Sequence, residues 1–318
     1  MPKFYNLAIV VVLGLILPGS LHGQAETLKF AWPDGASAKV HVRSEGRRVR
    51  SSKTTTWDMS LDFTMHLKRI KDRIVVSRSD FSGWKGSLPP SMGGGVERFV
   101  DMIPTVIATD GGVFVGIEGQ ETARKLMSDS VAQSGGLNPI VRKAFETISS
   151  NTSLEVMAGS HWTSLVGLWR DVELDPAASY EIRSLTPVPD LGGREVEVKG
   201  TVQFVKETPC ESTRNDLRCI HLHAESEADK AQMGKLLQSF LQQVDISQAI
   251  VTAFDQRFRV DIVVEKTTML PHHLKITRIH TVTLKHKMAA RDETGSAEYS
   301  ATYTFTWLSA PWNRQLRY

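Results

Sequence analysis

The chain has 318 residues, of which 41% are hydrophobic, and its formal net charge is +3. A chain of this length can bury a sizeable core, as one large domain or two smaller ones. A charge balance this even excludes a strongly basic nucleic-acid-binding protein, and we predict no nucleic-acid partner. The densest basic run, residues 43–53, is interpreted as a solvated hairpin tip, with contact to an anionic surface as the alternative.

The N-terminal segment has the layout of a secretory signal peptide. Lys3 is its only charge, residues 7–17 form an unbroken apolar run, and Pro18 follows. The run is shorter than the ~20 residues that a spanning helix needs, and no cysteine that could carry a lipid lies near it. We therefore predict a signal peptide over residues 1–25 and an exported protein, periplasmic or extracellular, without a permanent membrane anchor.

Alternation of apolar and polar residues predicts strands in the first third of the chain. It is visible at residues 28–32, before a turn, and again from Ala38. The strongest alternation covers residues 57–67, where the intervening positions are all polar, and Lys71-Asp72 predicts a turn into the next strand. One face of this sheet is therefore expected to be buried and the other solvated. Residues 82–95, rich in glycine and proline, predict a loop.

Helical spacing of apolar residues predicts helices in the middle of the chain. The first contains Ala123, the second begins at the N-cap Asn138, and the third begins at Ser153. Asp229, with Gln232 three residues later, resembles a capping box and opens a fourth helix.

Strands return on both sides of the fourth helix. The alternation predicts them at residues 180–182, 196–205, 218–224, 258–264, 274–288 and 297–307. The predicted fold class is α+β: a large curled antiparallel β-sheet, half-barrel-like, with about four helices packed on its apolar face. We expect residues 26–318 to form a single domain, with a split near residues 187–193 as the alternative.

The two cysteines, Cys210 and Cys219, predict a disulfide. A close pair in an oxidising compartment is most simply a structural bridge, and here both flanks read as strands. Redox-active pairs usually have the Cys-x-x-Cys spacing, which is absent.

Histidines come closest to a metal or catalytic site. His221 and His223 share a strand face with Glu225, a spacing that can chelate a metal. Since the opposite face is apolar, we interpret these residues as an exposed polar face. His280 shares a face with apolar residues and is interpreted as a core or rim histidine rather than a general base. We predict no metal and no cofactor.

The common catalytic motifs are absent. The chain contains no Gly-x-Ser-x-Gly, no His-Glu-x-x-His and no phosphate-binding Gly-x-x-x-x-Gly-Lys-Ser/Thr. Ser160 and His161 are neighbours in a predicted helix and so do not face each other. We predict that the protein is not an enzyme.

The strongest alternating run supplies the candidate ligand-lining residues. They can form core packing under the helices or the wall of a hydrophobic ligand cavity, for which methionine is well suited. The residues are Trp57, Met59, Leu61, Phe63, Met65 and Leu67.

Two resemblances bear on function. The junction at residues 267–271, Thr-Thr-Met-Leu-Pro between two strands, resembles that of periplasmic lipoprotein-carrier-like half barrels. This resemblance implies that lipid is held against the concave sheet face. The mature region also resembles uncharacterised exported bacterial β-rich proteins, through its hairpin cysteines and the Trp-x-x-Leu-Val segment at residues 162–166. That second resemblance implies no activity.

These observations favour an exported, soluble, non-catalytic protein that binds a lipid or another hydrophobic or envelope-associated ligand. An envelope structural or interaction protein with a filled core is the alternative, and a hydrolase is the third hypothesis. The oligomeric state is left open.

Overall fold

Long antiparallel strands dominate the structure, a computed structural model. It describes residues 26–50, 53–86, 104–133, 146, 149–175, 177–188, 191, 193–211, 214–244, 246, 248–286 and 292–309. The signal peptide predicted over residues 1–25 lies outside these ranges. So do nearly all of the helix predicted from Asn138 and most of the loop predicted at residues 82–95.

Eleven strands form one sheet. They are β1 (Ser37–Arg50), β2 (Lys53–Ile70), β3 (Arg73–Gly86), β4 (Thr105–Thr109), β5 (Phe114–Glu118), β6 (Ser179–Val188), β7 (Arg194–Glu211), β8 (Arg214–Ala228), β9 (Ala249–Glu265), β10 (Pro271–His286) and β11 (Glu293–Ser309). The order across the sheet is β5-β4-β3-β2-β1-β11-β10-β9-β8-β7-β6. Pairing of β1 with β11 joins the two ends of the chain, so strands from both ends share one sheet.

Three α-helices lie in the described ranges: α1 (Gln120–Gln133), α2 (Asn151–Trp162) and α3 (Lys230–Gln243). A π-helical turn, Thr163–Gly167, continues α2. Strands β5 and β6 are the two edges of the sheet, so the sheet is open. In the sequence, α1 and α2 come between these two strands. Helix α2 contacts both edge strands. The sheet must therefore curve enough to bring its two edges to one helix.

The predicted fold class was wrong in its helical part. One large antiparallel sheet dominates the structure. The described residues form three α-helices, and they are not all packed on the apolar face of that sheet. Helix α1 packs on α2. The physical reason is that α1 has a largely polar sequence, so it has little apolar surface for a sheet to cover. In the described ranges, α2 with its π turn and α3 are the helices that lie mainly against the sheet.

The main core fills one face of the sheet beneath α2. Cross-strand register places Val40 opposite Phe63 on one side and Phe305 on the other, and all three are buried. Three tryptophans from outside the sheet, Trp32, Trp162 and Trp169, complete this core. We call the face that carries it the core face. A second cluster on the same face lies under α3 and includes Val196, Val198 and Met233.

The segment before β1 departs from the predicted strand. Between residues 26 and 36 the structure has a single isolated bridge, from Thr27 to Glu173. Its backbone bonds instead to two separate loops: the Leu28 N–H donates to the Val172 carbonyl, and the Ala31 N–H donates to the Thr268 carbonyl. The apolar side chains of this segment therefore insert into the main core rather than forming a sheet face.

Several local predictions are confirmed. A turn at Lys71 joins β2 to β3. Asp229 caps α3 by accepting a hydrogen bond of 2.8 Å from the Gln232 N–H. The Gln232 side chain does not complete a capping box, since its Oε1 accepts from the Glu197 N–H of β7 at 2.9 Å. The helix is thus tied to the strand on which it packs.

Candidate functional site

The six residues predicted to line a ligand cavity all lie on β2, on the core face, but in two different environments. Phe63, Met65 and Leu67 are buried in the main core. Trp57, Met59 and Leu61 are partly exposed. We call these last three the apolar row. Helices α2 and α3 pack chiefly on other strands, β5 and β6 for α2 and β9 for α3, so these two helices lie mainly away from the row.

The apolar row is built by close cross-strand packing. Trp57 lies directly opposite Gly46 of β1, and a Cβ atom at Gly46 would come within 2.0 Å of the indole ring. The glycine therefore lets the indole lie flat over the neighbouring strand. On the other side of β1, Tyr299 of β11 is also opposite Gly46 and is 36% exposed. Aromatic surface thus extends from β2 across β1 to β11.

The interior beneath α2 is almost filled. Its cavity has a volume of about 20 Å³, which is about the room of one water molecule. Phe63, Met65 and Phe305 line it on the sheet side, and Trp162 lines it on the helix side. This cavity therefore has no room for a hydrophobic ligand of any length.

Three polar side chains also line this cavity: Arg78 of β3, His161 of α2 and Tyr303 of β11. The His161 and Tyr303 rings lie with centroids 5.0 Å apart. Burial lowers the pKa of His161 to about 4, and the Arg78 charge acts in the same direction. Burial also raises the pKa of the Tyr303 hydroxyl. At neutral pH the arginine is therefore the charged member of the group.

Sequence reasoning missed Arg78 and Tyr303 and set His161 aside. The available signal was the position of Arg78 in the strand, since it continues the apolar face that Ile74 and Val76 begin. An arginine on the apolar side of an alternating strand is unusual and needs a partner or a stacking surface. As for hydrolysis, the described residues place no serine or carboxylate within hydrogen-bond distance of His161.

The histidines considered for metal binding have other partners. His221 and His223 both contact Oδ1 of Asp261 on β9, at 3.2 Å and 2.9 Å. Glu225 pairs with Arg259 instead, at 3.2 Å. The Asp261 carboxylate therefore holds the two imidazole rings near each other, while Glu225, the third candidate ligand, is paired with Arg259.

The predicted bridge between Cys210 and Cys219 is present and joins β7 to β8. Buried His272 lies next to it, and the three side chains could hold a metal ion only as free ligands. Since metal binding needs thiolates, the oxidised pair does not supply them. The disulfide is consistent with an exported protein. None of the helices in the described ranges has the length and apolar character that crossing a membrane requires.

The junction at residues 267–271 is a tight, buried connection between β9 and β10. Met269 has a φ of 62° and is fully buried with Leu270. The Trp32 indole donates to the Met269 carbonyl at 3.0 Å, and the Trp307 indole donates to the Pro271 carbonyl at 2.9 Å. In this chain, therefore, the junction anchors the segment before β1 and the end of β11 to the core.

Comparison with known proteins yields no family. No protein family matches the chain, and no curated protein matches it. Among solved structures, Pseudomonas aeruginosa OccK11 (OpdR) is similar at 7% identity and a TM-score of 0.20, over 90% of this chain and 100% of its own. OccK5 (OpdH) from the same organism has 7% identity and a TM-score of 0.21, over 87% and 100%. A loop-deletion mutant of OmpT, an outer membrane protein of Vibrio cholerae, has 7% identity and a TM-score of 0.18, over 86% and 100%. TM-scores this low carry no conclusion about fold or function.

Proposed function

We propose that the protein is an exported, non-catalytic binding protein whose ligand is hydrophobic and lies on the apolar row. The observation that carries the proposal is the change of environment along β2. The same alternating run is buried at Phe63 and Met65 but remains partly exposed at Trp57, Met59 and Leu61. Its place of action would be the periplasm or the cell exterior.

The small size of the interior cavity supports placing the proposed ligand on the surface of the core face. About 20 Å³ does not accommodate an acyl chain, so the chain must rest along the core face beyond the main core. Trp57 offers a flat indole over Gly46, and Met59 offers a flexible thioether that adapts to different chains. Burial of this surface favours binding by roughly 25 cal/mol per Å² of apolar area.

An envelope structural or interaction protein is the second candidate function. The nearly filled interior favours it, because a filled core needs no ligand. In that case the apolar row is a contact surface for a protein partner, and it binds no small apolar molecule.

The decisive experiment combines ligand detection with a matched pair of variants. Protein purified from an exporting host is analysed by native mass spectrometry, then stripped of lipid and titrated with the fluorescent probe N-phenyl-1-naphthylamine. We expect a co-purifying apolar species and saturable probe binding. Met59→Glu should weaken probe binding at least tenfold, because the new carboxylate must be desolvated.

Leu185→Glu is the control, because this leucine is 62% exposed and lies on β6, away from the row. It should leave probe binding unchanged. A ligand-free mass together with no saturable probe binding would refute the proposal and favour the interaction protein. Equal effects of the two substitutions would show that the probe binds elsewhere.

A further inference from the structure

Arg78 projects its positive charge into a cavity that is lined mainly by apolar side chains. It lies on β3 opposite buried Met65 and follows Ile74 and Val76 on the same face. Its guanidinium is 5.8 Å from the centre of the Phe63 ring. Desolvation lowers the pKa of Arg78, which means that these surroundings disfavour its charged form.

The partners of Arg78 compensate this charge only in part. One nitrogen, Nη1, donates to the Pro104 carbonyl at 3.3 Å. Within the described ranges, no carboxylate lies at ion-pair distance from the guanidinium. A guanidinium has five N–H donors in a rigid fork that matches carboxylate and phosphate oxygens. Among the described residues, the Pro104 carbonyl occupies one of these five donors and carries no opposing charge.

The neighbouring polar groups add a donor and no opposing charge. Tyr303 is close enough for Arg78 to act on the pKa of its hydroxyl, which burial keeps protonated and able to donate. His161, whose ring is tilted against that of Tyr303, is neutral because burial holds its pKa at about 4. The group thus presents one cation and one hydroxyl donor, which is a combination suited to an anion.

Register connects this group to the apolar row. Tyr303 and Leu61 both pair with Val42 of β1, one from each side, so they lie in the same cross-strand line. One step further along β2, Phe63 is buried in the core. Tyr303 therefore lies where the filled core ends and the apolar row begins, whereas Arg78 pairs with Met65 inside the core.

We propose that Arg78 and Tyr303 bind the anionic head group of an amphiphile, a carboxylate or phosphate, whose apolar chain lies along Leu61, Met59 and Trp57. This inference rests on the proposed function and specifies its ligand class. The cavity of about 20 Å³ has room for about one water-sized group, which is consistent with the apolar chain remaining outside the core.

The test varies the head group at constant chain length. Lipid-free protein is titrated calorimetrically with dodecanoate, dodecyl phosphate, dodecanol and dodecyltrimethylammonium, each below its micelle concentration, and with inorganic phosphate. We expect the two anionic amphiphiles to bind about 10-fold to 100-fold more tightly than dodecanol, because a charge-assisted hydrogen bond discriminates by that factor. The cationic amphiphile should bind more weakly than dodecanol.

Variants assign the discrimination to its residues. Arg78→Gln should reduce the preference for dodecanoate over dodecanol to within about twofold, while Arg78→Lys should retain part of it. Arg43→Gln removes the same charge from an exposed pair with Asp58 and is the control. Should Arg78→Gln fail to fold, the head-group comparison on the wild-type protein still decides the matter.

The outcomes separate the two proposals. Equal binding of dodecanoate and dodecanol refutes the anion site and leaves the hydrophobic-ligand function standing. Failure of every amphiphile to bind refutes both. If inorganic phosphate binds as tightly as dodecyl phosphate, the site takes a free anion and the amphiphile is refuted. Retention of the full preference in Arg78→Gln assigns the head group to other residues and overturns the inference.

Discussion

The two halves of β2 share one alternating pattern and end in opposite environments. In the inner half, Phe63 and Met65 lie beneath α2 and the tryptophans of the core. In the outer half, Trp57 and Met59 retain exposed surface. Alternation therefore reports which face of a strand a side chain occupies, whereas the elements packed on that face determine whether it is buried.

The difference also separates stability from binding. A well-packed residue such as Phe63 contributes to the free energy of unfolding through contacts made within the chain. A residue of the apolar row makes fewer such contacts and can make more with a ligand. Substitutions in the two halves should accordingly change different measured quantities.

The largest expected effect comes from Trp162 on α2. This side chain is 3% exposed, packs on Trp32 with ring centroids 5.4 Å apart, and donates to the Gly112 carbonyl at 2.9 Å. We expect Trp162→Ala to lower the free energy of unfolding by about 3–5 kcal/mol, because it leaves a large cavity. Urea unfolding followed by circular dichroism measures the change.

Trp57→Ala is the matched substitution in the outer half. It should cost about 1 kcal/mol or less, because the indole is partly exposed and rests mainly on Gly46. Similar losses of unfolding free energy for Trp162→Ala and Trp57→Ala would contradict the distinction between the core beneath α2 and the apolar row.

The disulfide provides a stabilising element outside both halves. Cys210 and Cys219 are separated by 9 positions in the sequence, and closing a ring of that size stabilises by about 2–3 kcal/mol. Replacing both by serine should lower the free energy of unfolding by that amount and leave probe binding at the apolar row unchanged. Two free thiols in protein exported under oxidising conditions would contradict the predicted bridge.

Acidic pH tests the boundary between the halves, where His161 lies. Its pKa is held at about 4 in the folded protein, mainly by burial, against an ordinary value of 6.5. The unfolded chain therefore takes up the proton first, and the free energy of unfolding falls as the pH drops from about 6.5 to 4. The full shift corresponds to about 3 kcal/mol, and we expect about 1–2 kcal/mol because the ring is partly exposed.

His161→Gln isolates this contribution, since other histidines titrate in the same range. The variant should show a shallower loss of stability than the wild type between pH 6.5 and pH 4, and the same pH dependence above 7. Parallel pH curves for the two proteins would place the ring in a solvated environment.

Much of the sheet could be predicted from the sequence, because alternation and the turn at Lys71 are local signals. The disulfide followed from Cys210 and Cys219 in the same local way. The cap at Asp229 could also be predicted, whereas the second partner of Gln232, on β7, is not encoded within the helix.

The features that the sequence did not predict depend on contacts between residues that are distant in sequence. The irregular course of residues 26–36 is set by backbone bonds to loops near Val172 and Thr268. The group of Arg78, His161 and Tyr303 comes from β3, α2 and β11, and no spacing along the chain relates these positions. Candidate sites assembled in this way become visible only once the strands are in register.

Arg78→Met is expected to have a small effect on the free energy of unfolding, and the sign of that effect is the informative quantity. If Arg78 serves mainly to hold the fold together, losing its bond to the Pro104 carbonyl and its contact with Phe63 must destabilise the protein. If it is retained for an anion, the ligand-free protein bears the cost of a poorly compensated charge, and an apolar side chain of similar length removes that cost. We expect a rise of about 1 kcal/mol in the free energy of unfolding without ligand, and a loss of the stabilisation that dodecanoate gives the wild type. Thermal melts with and without dodecanoate measure both, and a destabilised variant that dodecanoate still protects would identify Arg78 as a structural residue.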